Sequence, residues 1–302
     1  MKAVVLHEYG GPDKLKYEDV PDPVANQGQV LVRMAATSVN PIDYKMRSGA
    51  AKDRFPVEFP AILGRDIAGI VREVGPRVTQ FKPGDKVMGV GSKTYAELTV
   101  VAAEDLALVP DKLDLVKAAA LPLVTLTGEQ LMTRGARIQS GQTVLVTGAV
   151  GGVGRSAVWT AKKAGAKVIA GVKKSQMEEA ATLGADQVLA LDDAAAIEKL
   201  GFIDAVADTV GGETGQKLLA KVKQGGIFAS VVGPPANAGM HPTIKVEAIQ
   251  AKPDAAMVRI MAEDAAAGRL VIPIDRMVPL ADAGKAQAAA EKGGFGKILL
   301  LA

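Results

Sequence analysis

Through about residue 110 the chain runs in short alternating or apolar stretches broken by turn residues. KAVVL, QVLVRMAATSV, IAGIVREVG, KVMGV and YAELTVV predict strands. Between them YGGPDK, PDPVANQG and KPGDK supply Pro, Gly and Asp, whose fixed or positive φ angles make turns. KPGDK is expected to be a hairpin turn and nothing more. The first third should therefore be a mostly β domain.

From about Leu115 the rhythm changes. Ala- and Leu-rich helical stretches alternate with the runs TVLVTG, AKVIAGV, DQVLAL, FIDAVADTV and GGIFASVVG. Strands separated by helices imply βαβ units and a parallel sheet. Two further helices are expected at PDAAMVRIMAEDAAAG and ADAGKAQAAAEKG, followed by a terminal strand, KILLLA. That strand has no obvious partner in the middle region, and one solution is a return to the first domain. No internal repeat or low-complexity segment interrupts the chain.

Composition narrows the function classes. At 302 residues and 48% hydrophobic content, the chain can fill one large core or two ordinary ones. No apolar run approaches the roughly 18 to 20 residues of a membrane helix, and the opening MKAVVLHEYGG lacks a signal-peptide core, so a cytoplasmic location is expected. Cysteine is absent and only His7 and His241 supply imidazole, which argues against zinc, whose sites draw on His, Cys and carboxylates. A net charge of +3 arises from 36 basic and 33 acidic residues interspersed along the chain. Nucleic-acid binding wants a clustered basic face with aromatics to stack on, and neither pattern is present.

The most informative stretch is VLVTGAVGGVGRSAVWTAKKAGAKVIAGVKKS, residues 144–175. An apolar run at 144–146 leads through glycines into a segment, 153–163, that can continue as a helix. A helix N-terminus offers unpaired N–H groups, and glycines let a pyrophosphate approach them without a Cβ in the way. Ala149, Gly151 and Gly154 fit the dinucleotide fingerprint in a relaxed form, with Ala for the first Gly. Gly148, Gly152 and Val153 complete the expected cradle. The alternative is a turn that needs glycine only for tight packing. An NAD site usually carries Asp or Glu at the end of the second strand; here Lys173, Lys174 and Ser175 stand there, with no carboxylate before Glu178. Lysines and a hydroxyl would pair with a 2′-phosphate, so NADP(H) is the expected cofactor, against the alternative of a solvated loop. Trp159, within the helix, is expected to pack into the core.

These motifs, with SVNPIDYKMRSG, PAILGRDIAGIVREVG, FKPGDKVMG, AAALPLVTLTGEQLM and DAVADTVGGE in order along the chain, resemble the zinc-independent quinone oxidoreductase, zeta-crystallin-like branch of the medium-chain dehydrogenase/reductase superfamily. The resemblance spans nearly the whole chain. It implies an α/β protein: a GroES-like β domain, residues 1–116 with 268–302, and an inserted Rossmann domain with a doubly wound parallel sheet, residues 117–267. It implies an active site in the cleft between them. Zinc-dependent relatives carry Cys where this chain has Asn40 and His where it has Arg65, and they have a four-cysteine lobe that is missing here. The resemblance also implies a homodimer. Against longer members the resemblance implies a chain shortened near residues 233–257, which bears on substrate size and on that dimer.

Without a Lewis acid, the easier reaction is hydride transfer to an acceptor that already delocalises charge. The expectation is an NADPH-dependent reductase of quinones or α,β-unsaturated carbonyls, with a small-molecule substrate and neither nucleic acid nor membrane as partner. Asn40 matches a family position lining the substrate pocket, and its amide can donate to a developing oxyanion; fixing the turn before Pro41 is the alternative. Tyr44 is a candidate proton donor or pocket wall, although a tyrosine near pKa 10 is a weak acid at neutral pH. Asp43 and Arg47, four apart, would form a structural pair on a helix. By resemblance, Thr127 contacts the nicotinamide side of the cofactor and Gly233 lies where the backbone passes it; a core-facing helix residue and a turn glycine are the alternatives. Two rivals remain: a specific enoyl or alkenal reductase, and an NADPH-binding regulatory protein with little turnover.

Overall fold

The computed structural model describes residues 1–294 and 296–302. The chain forms two compact units, Met1–Leu123 with Pro253–Ala302 (unit 1) and Val124–Lys252 (unit 2).

Unit 1 starts with β1 (Lys2–Leu6), β2 (Leu15–Asp19), β3 (Gln29–Ser38), helix α1 (Pro41–Ser48), β4 (Ala61–Ile62), β5 (Asp66–Val74), β6 (Lys86–Val90), β7 (Leu98–Ala102), β8 (Leu106–Leu108) and helix α2 (Leu115–Ala118). Helix α3 (Pro122–Gln130) carries the chain across the boundary, and a π-turn segment, Leu131–Ala136, continues it. Unit 2 then alternates β9 (Thr143–Thr147), α4 (Gly152–Lys163), β10 (Lys167–Val172), α5 (Met177–Ala181), β11 (Gln187–Ala190), α6 (Ala194–Lys199), β12 (Ile203–Asp208), α7 (Gly212–Leu219), β13 (Val222–Ser230) and β14 (Lys245–Ala248). The chain returns to unit 1 with α8 (Ala255–Ala266), β15 (Ile274–Pro279), α9 (Ala283–Glu291) and β16 (Lys297–Leu301).

Unit 2 holds one six-stranded sheet in the order β11-β10-β9-β12-β13-β14, every adjacent pair parallel. Counted from β9, this is the 3-2-1-4-5-6 order of the doubly wound Rossmann fold. Alternation along β9 shows why it is covered on both faces. Val144 and Val146 pack with Ala157, Val158 and Ala161 of α4, while Leu145 packs with Leu218, Leu219 and Phe228. All three β9 residues are fully buried, which accounts for the unbroken apolar run.

Unit 1 is built from a three-stranded sheet, β2-β1-β4, and a seven-stranded sheet, β15-β16-β3-β5-β6-β8 with β7 also on β3. Strand β16 lies antiparallel to β3 and parallel to β15, so the terminal KILLLA run does return to the N-terminal segment. Its Ile298 and Leu300 pack with Val4, Leu6, Val39 and Leu280.

The division falls later than residue 116 and earlier than residue 268. At the first boundary α2 packs on β3, β5 and β16, and the Leu123 N–H donates to Asp66 of β5 at 2.7 Å. At the second, α8 packs against β6 and β8 rather than joining the parallel sheet. Trp159 also departs from expectation: it is half-buried, with the Lys163 ammonium 4.4 Å from its ring centroid. Its place on α4 is amphipathic rather than inward. Among the described residues no helix is long and apolar enough to cross a membrane.

Leu300 is fully buried in the cluster that closes unit 1. Leu300→Ala is expected to lower stability by about 2 to 5 kcal/mol, read from the midpoint of urea unfolding at unchanged m-value.

Candidate active site

In an open parallel sheet the strand order reverses at one point, here between β9 and β12, and ligands bind outside the C-terminal strand ends beside it. The loop from β9 to α4 occupies that position. Gly148 takes φ +61°, and a Cβ there would meet Thr209 Oγ1 at 2.6 Å. Gly154 lies so close to the loop that a Cβ would sit 2.1 Å from the Gly148 carbonyl oxygen and 2.7 Å from Ala149 Cα. Gly151 is exposed, and a Cβ there would meet only the Gly148 carbonyl oxygen, at 3.3 Å. Each glycine thus has its own reason: conformation, packing, and an open approach to the helix end. The N–H groups of Gly152, Val153 and Gly154 open α4 and lack an intrahelical acceptor.

Ala149 serves differently from the expected cradle residue. It is fully buried, and its N–H donates to the Gly171 carbonyl at 3.2 Å, tying the loop to the end of β10. Two residues beyond that carbonyl, Lys173, Lys174 and Ser175 are all exposed. Their backbone is anchored: the Lys173 N–H donates to Gln176 Oε1 at 3.2 Å and the Lys174 N–H to Asp192 Oδ1 at 2.8 Å. On the other side of the α4 start, a Cβ at Gly128 would lie 2.4 Å from the Val153 carbonyl oxygen, so α3 touches the first turn of α4. Half-buried Thr127 is next to that contact. Gly233, three residues past β13, takes φ +114° with open space where a Cβ would point. The cofactor candidates therefore all belong to unit 2: Thr127 on α3, the β9–α4 turn with the first turn of α4, and the segments after β10 and β13.

Unit 1 carries a buried polar network instead. Asn40 is 2% exposed, and its amide is engaged at both ends: Nδ2 donates to Asp66 Oδ2 at 2.7 Å, and Oδ1 accepts from Lys297 Nζ at 2.7 Å. Its N–H donates to Asp43 Oδ2 at 2.8 Å, which starts α1. That backbone contact fixes the turn before Pro41, while one amide N–H is engaged by the Asp66 carboxylate and Nδ2 also lies 3.4 Å from the Ser38 carbonyl and hydroxyl oxygens. Asp66 also accepts from the Ser38 hydroxyl. Lys297 Nζ donates to the Val39 carbonyl at 3.1 Å and lies 3.8 Å from Asp66 Oδ2. Burial holds the Lys297 ammonium below its usual pKa, against the pull of Asp66 and Asp43.

The expected Asp43–Arg47 pair does not form, although both residues are buried on α1. Arg47 instead donates to Gln287 Oε1 at 2.8 Å, to Glu291 Oε1 at 2.6 Å and to the Gly10 carbonyl at 3.2 Å. Helical spacing made the pair available, and tertiary partners from α9 took the guanidinium. Asp43 Oδ2 accepts from the Tyr95 hydroxyl at 3.0 Å, while the buried Oδ1 has no hydrogen-bond partner among the described residues. Burial pushes the Asp43 carboxyl up to about 7 despite those hydrogen bonds. Tyr44 is half-buried, and burial together with Glu291 raises its pKa. Asp66, Lys297 and Tyr95 have no motif spacing to mark them in the sequence, because each lies inside a strand-like run or beside one.

Comparison with known proteins gives a consistent result. Residues 26–111 match the family model described as alcohol dehydrogenase GroES-like domain, and residues 183–300 match zinc-binding dehydrogenase. The chain is 38% identical over 199 residues to the chloroplast envelope quinone oxidoreductase homolog of Arabidopsis thaliana, covering 63% of this chain and 60% of that protein. It is 36% identical over 257 residues to 2-methylene-furan-3-one reductase of Solanum lycopersicum, covering 78% and 64%. The match thus spans about three fifths of the length of these curated relatives. An alcohol dehydrogenase superfamily protein from Novosphingobium aromaticivorans has a TM-score of 0.88 at 31% identity, covering 100% of this chain and 99% of that one. A mycobacterial protein solved in complex with NADPH has a TM-score of 0.87 at 28% identity, covering 100% of both chains.

The raised Asp43 carboxyl has a thermodynamic consequence. The folded state keeps a proton up to about pH 7 that the unfolded chain releases near its ordinary value of 3.8. The associated stability is full below the unfolded value and is lost as pH rises through the folded one. Urea midpoints measured from about pH 4 to about pH 8 are expected to fall with rising pH, and Asp43→Asn should flatten that slope. An unaltered slope in the variant would assign the titration to another group.

Proposed function

The chain belongs to the quinone oxidoreductase branch of the medium-chain dehydrogenase/reductase superfamily, and from that premise we propose that it is an NADPH-dependent reductase of quinones or α,β-unsaturated carbonyls. The observation that carries the cofactor reading is a glycine-lined helix N-terminus at the strand-order reversal, with two exposed lysines beside it. The glycines and the opening N–H groups of α4 suit a pyrophosphate, and Lys173, Lys174 and Ser175 suit a 2′-phosphate. Thr127 and Gly233 are the candidates for the nicotinamide side. When bound, the dinucleotide supplies the hydride.

The chain's own residues then bind, orient and exclude water. With no cysteine in the sequence, the reaction is assigned to a metal-independent route on acceptors that delocalise charge. Asn40 holds Asp66 and Lys297 in register rather than meeting the acceptor, because its amide is already hydrogen bonded at both ends. Tyr44 keeps its proton at neutral pH, being raised by burial and by Glu291, and can donate a hydrogen bond without giving the proton up readily. Solvent is the better proton source. A specific enone reductase is the second reading, favoured by the tomato relative; a panel of quinones and enones separates the two.

Titration with NADPH and NADH, following ligand fluorescence, tests the cofactor first. Each charge-assisted contact is worth roughly 1.5 to 3 kcal/mol before solvent screening, so NADPH should bind at least about tenfold tighter. The double variant Lys173→Ala, Lys174→Ala should remove that advantage and leave NADH binding unchanged. Equal affinities in the wild type would overturn the NADP assignment, and binding of neither would sink the oxidoreductase reading. Tyr44→Phe is expected to cost less than about tenfold in turnover; a loss of 100-fold or more would make it a general acid.

A further inference from the structure

Asp208 ends β12 and is fully buried, flanked by the parallel neighbours β9 and β13. Its two carboxyl oxygens take four donors from three segments. Oδ1 accepts the Thr147 hydroxyl at 2.9 Å, the Gly211 N–H at 2.9 Å and the Val210 N–H at 3.1 Å, and Oδ2 accepts the Ser230 hydroxyl at 2.8 Å. Thr209 fastens the same junction. Its N–H donates to Thr147 Oγ1 at 2.8 Å and its hydroxyl to the Thr147 carbonyl at 2.7 Å.

The consequence falls on the loops that follow. Thr147 leads directly into Gly148, where a Cβ would meet the Thr209 hydroxyl, so the 209–211 turn is the wall against which the glycine loop is set. Ser230 accepts the Val232 N–H at 3.1 Å and so holds the segment leading to Gly233. Gly211, at φ +74°, would place a Cβ 2.9 Å from Val232 Cγ2, which brings the turns after β12 and β13 into contact. An apolar side chain could fill the volume of Asp208, but it would leave two hydroxyls and two N–H groups without their acceptor.

We propose that Asp208 is a positioning residue for the dinucleotide, setting the loops after β9, β12 and β13 in one register so that the two ends of the cofactor meet preformed partners. The proposal rests on the cofactor reading above. It assigns the work to hydrogen-bond geometry, so a residue of the same shape should replace most of it. In Asp208→Asn the side-chain oxygen can still accept from Thr147 and the turn, while the amide donates to Ser230 Oγ.

The test titrates wild type, Asp208→Ala, Asp208→Asn and Thr209→Val with NADPH by ligand fluorescence, with thermal unfolding recorded in parallel. Loss of preformed geometry is expected to raise Kd at least about tenfold in Asp208→Ala, by less than about threefold in Asp208→Asn and by an intermediate factor in Thr209→Val. A role in folding alone would lower the melting temperature of Asp208→Ala and leave Kd unchanged, which would overturn the proposal. Where Asp208→Ala does not fold, an unchanged Kd in Thr209→Val overturns it equally. Wild-type protein that binds neither NADPH nor NADH overturns the cofactor reading and this proposal together, whereas tight wild-type binding with unaffected variants overturns this proposal alone.

Discussion

Unit 1 is closed around the buried ammonium of Lys297. A charge taken out of water costs several kcal/mol unless hydrogen bonds and an opposite charge meet it. The partners that meet this one come from elsewhere in the chain: the Val39 carbonyl and Asn40 Oδ1 beyond β3, and Asp66 at the start of β5. Asp66 in turn takes the hydroxyl of Ser38, the amide of Asn40 and the N–H of Leu123. One lysine–aspartate pair therefore fixes the last strand against the first third of the chain and holds the segment that leads toward unit 2. The intervening parallel sheet becomes an insertion because the ends on either side of it are bound to each other.

The same logic runs through unit 2. Parallel strands leave polar backbone and side-chain groups clustered at their C-terminal ends, and something must satisfy those that are buried. Asp208 does so for β9, β12 and β13, and the Gly154–Gly148 backbone contact sets how near α4 comes to the sheet. The glycine loop is thus shaped from two directions, by a helix that tolerates no Cβ and by a turn pinned through a carboxyl group. A loop shaped this way would lose little freedom on binding a ligand, which is the physical content of preorganisation.

The buried network of Asp43, Tyr95, Gln287 and Arg47 shows how far a local rule carries. Spacing of four residues made Asp43 and Arg47 a plausible helical pair, worth a few tenths of a kcal/mol on an isolated helix. In the folded unit, Arg47 is 2% exposed and is fully engaged by Gln287, Glu291 and Gly10. Buried donors go where enough acceptors converge, and helix α9 supplies them from more than two hundred residues away in sequence. Asn40 follows the same rule: its amide was legible as a donor, but not the carboxylate and ammonium that claim it.

What the sequence determined by itself was everything that rests on local periodicity and on residues with one conformational use. The strand-to-helix glycine loop, the β runs of the first third, the alternating strands and helices of the middle and the terminal strand all follow from hydrophobic spacing and turn chemistry, and the lack of thiolate ligands follows from a sequence without cysteine. The pair of lysines after β10 could be read because a parallel βαβ unit puts the end of its second strand beside the glycine loop. Tertiary structure decided the rest: that α8 packs with unit 1, that Trp159 stays half-exposed, that Ala149 is core, and which buried groups satisfy Asn40, Arg47, Lys297 and Asp208. Those outcomes depend on partners far apart in sequence, and the free energy of a buried polar group is set by its partners rather than by its neighbours along the chain.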